Sequence, residues 1–228
     1  MPRAVTPGRG AQVVEVDTPE GLGRFHLAVA AEPRALVILG HGAGGGIDAV
    51  DLSVLASRLP ERGITVARFE QPWRVAGRKV GSLPPRLDIA WTAAVPRLLE
   101  RLGDHTGIVF TGGRSAGARV ACRTAAADER VRGVVCCAFP LHPPGRPEKS
   151  RAAELLAAGV PRLVLQGEKD SFGGPAEVRA VLSPDDDVTV VPIPGADHSL
   201  RVAKGGPISP AGLRDLVADS VASFILDR

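Results

Sequence analysis

Six short apolar runs alternate with segments of helical periodicity along this chain, and that alternation restricts its fold more than any other property. The runs are "ALVIL" (35–39), "ITVARF" (64–69), "GIVFT" (107–111), "VRGVVCCAF" (131–139), "RLVLQ" (162–166) and "VTVVPI" (188–193). Rich in Val, Ile and Leu, they predict strands that are mostly buried on both faces. The intervening segments read differently. In "LDIAWTAAVPRLLERLG", Leu87, Trp91, Ala94, Val95, Leu98 and Leu102 recur at three- and four-residue steps, and Pro96 predicts a bend or a shortened helix. Near the C-terminus, Ser209 and Pro210 supply an N-cap and a first helical position. An amphipathic face of Leu213, Leu216, Val217, Val221, Phe224 and Ile225 follows. Strand, helix, strand in this order predicts a mostly parallel central sheet with helices on both faces. Upstream, "AQVVEVD" and "GRFHLAVA" predict an antiparallel pair at one edge.

A chain of 228 residues buries roughly three-quarters of its unfolded surface in one core. No composition shift, long linker or internal repeat divides it. The expected organisation is an N-terminal extension and edge strand over 1–22, then a single α/β domain over 23–228. Hydrophobic residues at 44% and charged residues at 23% exclude a disordered or fibrous chain. The net charge of +3 arises from scattered residues, so nucleic acid is not an expected partner. The excess of arginine, 24 against 4 lysines, reads as the coding bias of a GC-rich genome. "MPRAVTPGRGAQVVEV" has no apolar segment behind its arginines, and no run approaches the ~20 apolar residues of a membrane span. Neither a secretory signal nor a membrane partner is expected, and the expected location is cytoplasmic. Cys122, Cys136 and Cys137 lack metal-ligand spacing. Cys136 and Cys137, adjacent in a strand, point to opposite faces, so buried free thiols are expected.

Ligands of such sheets sit beyond the carboxyl ends of the strands. Three loops there carry candidate chemistry. The first, "GHGAGGG" (40–46), satisfies G-x-G-x-x-G, with Glu70 near the end of the next strand where a ribose-binding acid would stand. Helical spacing resumes only around Asp48, however, which leaves the loop wider than a tight phosphate turn. The other reading is an oxyanion loop, whose glycines let backbone N–H groups approach a developing negative charge. The second, Gly113-Arg114-Ser115-Ala116-Gly117, is G-x-S-x-G between an apolar strand and an alanine-rich helix, the context of a nucleophile elbow. The third feature is a pair: Asp170 a few residues past one strand and His198 a few residues past the next. Ser115, Asp170 and His198 then stand at one edge as nucleophile, orienting acid and general base.

These motifs, in the order Ser, Asp, His, resemble the α/β-hydrolase superfamily from about residue 23 onward. "HGAGGG", "GGRSAG", "FPLHPPGRPEK", "LQGEKDSFG" and "GADHS" resemble its dienelactone-hydrolase-like branch, which includes a testis-expressed hydrolase-like protein and a subunit of the nonspecific-lethal chromatin complex. Known dienelactone hydrolases carry cysteine at the elbow, where this chain has Ser115. The resemblance implies an α/β-hydrolase fold and an acyl-enzyme mechanism on a small ester, thioester or related acyl substrate, with no metal and no cofactor. The backbone N–H groups of Ala116 and Ala43 are the expected oxyanion donors. Residues 139–161 hold room for one helix, "SRAAELLAAG", and no lid domain. A catalytically idle binding or scaffold protein, as the chromatin relative suggests, and a nicotinamide-dependent oxidoreductase are the alternatives.

Further residues near this edge have two readings each. Asp197 precedes the histidine, but Asp170 is the preferred acid. His41 braces the oxyanion loop or takes part in catalysis, and Gly44 and Trp73 are candidate substrate contacts. His142 is expected to shape the pocket. Arg114 either meets substrate or fixes the elbow by hydrogen bonds to backbone carbonyls. Arg74, Arg78, Lys79 and Arg86 form a basic loop that either draws an anionic substrate or is merely solvated. His26 and His105 are expected to be surface or core residues.

Overall fold

The computed structural model describes residues 12–228, with the side chains of Asp104 and His105 excepted. Of the opening stretch considered for a targeting signal, residues 1–11 therefore lie outside the described residues, as does the His105 side chain. Eight strands form one sheet in the order β1-β2-β4-β3-β5-β6-β7-β8. β1 (Gln12–Thr18) and β2 (Gly21–Ala28) make an antiparallel hairpin, and β2 pairs antiparallel with β4 (Ile64–Glu70). The other pairings are parallel, through β3 (Ala35–Gly40), β5 (Ile108–Arg114), β6 (Val131–Cys137), β7 (Arg162–Gly167) and β8 (Val188–Ile193). The expected hairpin therefore lies at one edge, and all six apolar runs are strands.

The central strands are buried on both faces because helices cover both. Leu36 and Ile38 of β3 pack with α3 (Pro84–Leu102) through Trp91, Val95 and Leu98. Val37 and Leu39, pointing the other way, pack with α1 (Val50–Arg58) and α7 (Pro210–Leu226). β6 and β7 present Val134, Cys136 and Val164 to α4 (Ala116–Thr124), α5 (Ala152–Leu156) and α6 (Pro175–Ala180). Cys136 and Cys137 fall into cores on opposite faces, as the period-two geometry of a strand requires, and all three cysteines are buried free thiols. α7 starts as expected, with the Ser209 hydroxyl accepting from Gly212 N–H. α3 is not shortened at its proline. It runs through Pro96 without a break, because buried Trp91, Ala94 and Val95 before the proline and Leu98 and Leu99 after it keep both halves on the sheet.

Candidate active site

Strand register delivers the candidate side chains to one edge. β3 and β5 end side by side, with Gly40 opposite Gly113. A Cβ on Gly113 would stand 2.3 Å from the Gly40 carbonyl oxygen, and one on Gly117 would stand 2.2 Å from it. Both glycines of G-x-S-x-G are thus demanded by the close approach of β5 and α4 to the end of β3. Between them Ser115 has φ 52° and ψ −110°, a strained conformation for a residue with a side chain. Its N–H donates to Cys137 O at 3.0 Å, which anchors the turn on β6.

His198 lies in the loop after β8, which an isolated bridge between Ala196 and Val202 closes. Asp197 shapes that loop: its Oδ1 accepts from the N–H groups of Ser199 and Arg201 at 2.8 and 3.0 Å. The carboxylate on the imidazole is Asp170, whose Oδ2 is 2.8 Å from His198 Nδ1. Asp170 has a fully buried side chain, and it also accepts from Phe172 N–H at 2.8 Å and Gln166 Nε2 at 2.9 Å. Phe172 stacks on the imidazole with ring centroids 4.1 Å apart. His198 Nε2 is 3.0 Å from Ser115 Oγ. With Nδ1–H donating to Asp170, Nε2 is left as the acceptor for the serine hydroxyl.

In front of Ser115 lies an open cavity of about 710 Å³, lined by Gly42 to Gly46, Ala116, Pro140, Phe172, His198 and five arginines. Arg119 is held by two hydrogen bonds to Glu154. Arg114 is ion-paired at 3.3 Å with Asp51, whose side chain has no exposure. Arg74, Arg151 and Arg201 form no ion pair among the described residues, although Glu154 acts on Arg151 from a distance, and the Arg151 side chain donates to Pro140 O. Of the basic loop, Arg74 reaches the cavity, Arg78 and Lys79 do not, and Arg86 is paired with Glu20.

The remaining candidates separate. Ala43, Gly44 and Ala116 line the cavity, and Ala116 is the first residue of α4, where backbone N–H groups lack intrahelical partners. His41 is buried behind it. Its Nδ1 donates to Gly42 O and its Nε2 accepts from Gln71 N–H, so it braces the glycine loop. Burial pulls its pKa down from 6.5. Trp73 and His142, expected as substrate contacts, do not line the cavity. Trp73 sits in α2 (Pro72–Val75) and turns into the core cluster that also holds Phe69 and Trp91, its ring edge-on to His41 with centroids 5.4 Å apart. His142 is occupied by the Pro143 carbonyl and by Glu177 of α6, which fastens its loop down rather than facing the pocket. The dinucleotide geometry is not formed either. α1 begins only at Val50, ten residues past Gly40, and the Glu70 carboxylate is 3.1 Å from His26 Nε2.

A family model described as an alpha/beta hydrolase domain matches residues 33–226. The chain belongs to the alpha/beta hydrolase family. A serine hydrolase without lid from Xanthomonas campestris superposes with a TM-score of 0.71 at 22% identity, covering 97% of this chain and 98% of the other. A serine hydrolase homologue from Coxiella burnetii gives 0.70 at 22% identity, covering 92% and 97%. Est1E from Butyrivibrio proteoclasticus gives 0.73 at 15% identity, covering 94% and 98%. These likenesses are of fold. The lidless form of the first is matched here: between β6 and β7 this alpha/beta hydrolase carries one five-residue helix, α5, and no lid domain.

Five contributors to the site escaped the sequence reading: Asp51, Phe172, Arg119, Arg151 and Arg201. Asp51 left a signal, since it shares helical spacing with Val54 and Leu55 and so falls on the buried face of α1. An acid on an apolar face needs a buried partner. The other four carry no local signal, because only the fold brings their loops and helices to the cavity. No group of three or more His, Cys, Asp or Glu among the described residues is placed to hold a metal ion. No helix among them is long and apolar enough to cross a membrane.

Proposed function

We propose that this alpha/beta hydrolase is a serine esterase or thioesterase that cleaves a small acyl substrate through an acyl-enzyme. The observation that carries the reading is the continuous chain from Ser115 Oγ to His198 Nε2 and from His198 Nδ1 to the buried Asp170 carboxylate. Ser115 Oγ attacks the substrate carbonyl while His198 Nε2 takes its proton. Asp170 keeps Nδ1 protonated and stabilises the imidazolium. The backbone N–H groups of Ala116 and Ala43 hold the oxyanion. His198 then returns the proton to the leaving alcohol or thiol, and a water activated by the same nitrogen hydrolyses the acyl-Ser115 bond. These steps call on no metal or cofactor.

The cavity mouth supports a substrate that is small, soluble and anionic. No lid covers it, and Arg74, Arg151 and Arg201 line it without an ion pair. Burial, and then the neighbouring Arg119, pulls the Arg151 guanidinium below its usual pKa against the opposing pull of Glu154, and the opposite charge of an arriving anion offsets both effects. The motifs that resemble the dienelactone-hydrolase-like branch favour placement there, and a net charge of only +3 from scattered residues speaks against a nucleic-acid partner.

A fluorophosphonate probe followed by peptide mapping tests the nucleophile, and labelling at Ser115 in folded protein is expected. Folded protein that stays unlabelled would point instead to an idle binding protein. Paired p-nitrophenyl esters, one neutral and one with a terminal carboxylate, test the charge preference. The variant R151Q/R201Q should lose at least tenfold in kcat/KM on the anionic ester and little on the neutral one. Equal loss on both would refute the anionic reading.

A further inference from the structure

Arg114 lies inside the elbow, yet its guanidinium turns away from the elbow's own carbonyls. Its Nη2 donates to the backbone carbonyl of His198 at 2.8 Å, across the mouth of the site. Its Nε lies 3.3 Å from Asp51 Oδ2 on α1. Its Nη1 lies 3.3 Å from where a Cβ on Gly42 would stand, so it also packs beneath the glycine loop. One planar group thus joins the residue before the nucleophile to the histidine loop, the oxyanion loop and α1. The Arg114 side chain is 14% exposed and that of Asp51 is 0%.

Asp51 has no other evident use at that depth. Its Oδ1 accepts from Leu52 N–H, and its Oδ2 has no hydrogen-bond partner, only the guanidinium at ion-pair distance. Burial pushes the Asp51 carboxyl up, while Arg114 opposes that shift. A buried ion pair gives little net stability compared with apolar residues of the same shape, but it does fix geometry. Arginine suits the task, because its rigid fork can serve a carboxylate and a carbonyl at once, whereas an ammonium is a single point.

We propose that Arg114, held by Asp51, is a positioning residue that ties the His198 loop to the nucleophile elbow and keeps Nε2 on Ser115 Oγ. This rests on reading Ser115, His198 and Asp170 as the reacting group. Asp170 and Phe172 orient the imidazole ring, and Arg114 fixes the backbone that carries it.

Three variants test the pair, with kinetics on a neutral p-nitrophenyl ester. R114K keeps a cation opposite Asp51 but cannot span to the His198 carbonyl. R114M removes the cation. The double variant D51N/R114M removes both charges together and so leaves no unpaired buried carboxylate, which preserves folding if R114M alone fails. A misplacement of about 1 Å at a reacting group costs on the order of 10²-fold in rate. The expected result is a drop in kcat of that order in the double variant and at least tenfold in R114K, with KM within threefold of wild type. A second readout does not depend on turnover: the far-downfield proton resonance of the His198 Nδ1–H bonded to Asp170. It should shift or broaden in the double variant. A double variant with wild-type kcat and an unchanged resonance would overturn the proposal. If wild-type protein hydrolyses no ester, the catalytic reading fails, and the resonance alone still decides whether Arg114 positions His198.

Discussion

Replacing Gly117 with alanine should damage stability and catalysis through one contact. The added methyl would stand 2.2 Å from the Gly40 carbonyl oxygen and 2.4 Å from its carbon, both backbone atoms that no rotamer change can move aside. Restoring ordinary contact requires α4 and the end of β3 to separate by about 1 Å. Overpacking of this kind costs about 1–3 kcal/mol, and a backbone-on-backbone clash belongs at the upper end. For a domain of this size each kcal/mol lowers Tm by roughly 2–4 °C, so a loss of about 6–12 °C is expected. Gly40 also opens the loop that carries Ala43, so the same displacement moves that loop away from Ser115, with a rate loss of up to about 10²-fold. Gly44 is the control: nothing lies within 4 Å of a Cβ there, and G44A should melt within about 0.5 kcal/mol of wild type. Thermal denaturation and initial rates of ester hydrolysis measure both effects. A G117A protein that melts like G44A and turns over like wild type would refute the packing account of the elbow.

Two other measurements bear on the site. S115A should abolish hydrolysis and leave Tm nearly unchanged, since alanine bears the same positive φ as the serine it replaces; substantial residual turnover would remove Ser115 as nucleophile. The pH dependence of stability should carry opposite contributions from two histidines. Burial holds His41 below 6.5, so its contribution is present above 6.5 and lost as pH falls through its folded value. The Pro143 carbonyl, then Glu177, holds His142 above 6.5, so its contribution is present below 6.5 and lost as pH rises through its folded value. Denaturant titrations should therefore show H41Q with a weaker acid loss and H142Q with a weaker alkaline loss. The same slope in both variants and the wild type would refute these assignments.

The strands were readable because burial on both faces leaves an unbroken apolar run, and the elbow because steric crowding at Gly40 permits only small residues around Ser115. Side-chain direction was not readable. Trp73 and His142 follow strands that end at the active edge, which suggests a place in the pocket. Trp73 turns into the core because it stands in the first turn of α2, against buried His41, and His142 is drawn to Glu177. The persistence of α3 through Pro96 has a similar origin: a proline within a helix costs about 3 kcal/mol, and a buried apolar face on both sides outweighs it. Arg119 and Arg151 depend on the pairing of α4 with α5, which no local pattern encodes.

The open mouth gives the buried charges their sense. An enzyme with a lid completes its constellation when it closes, whereas a lidless one must hold the geometry before substrate arrives. Here two carboxylates with fully buried side chains do so from different elements. Asp170, past the end of β7, grips the imidazole at Nδ1, and Asp51, on α1, holds the arginine that grips the histidine's backbone. They are the same residue type with different partners, one fixing the rotation of the ring and the other the position of its loop. If that division is right, weakening Asp51–Arg114 should spare the tautomer of His198 and loosen its distance to Ser115. Weakening Asp170 should leave the loop in place and lose the tautomer.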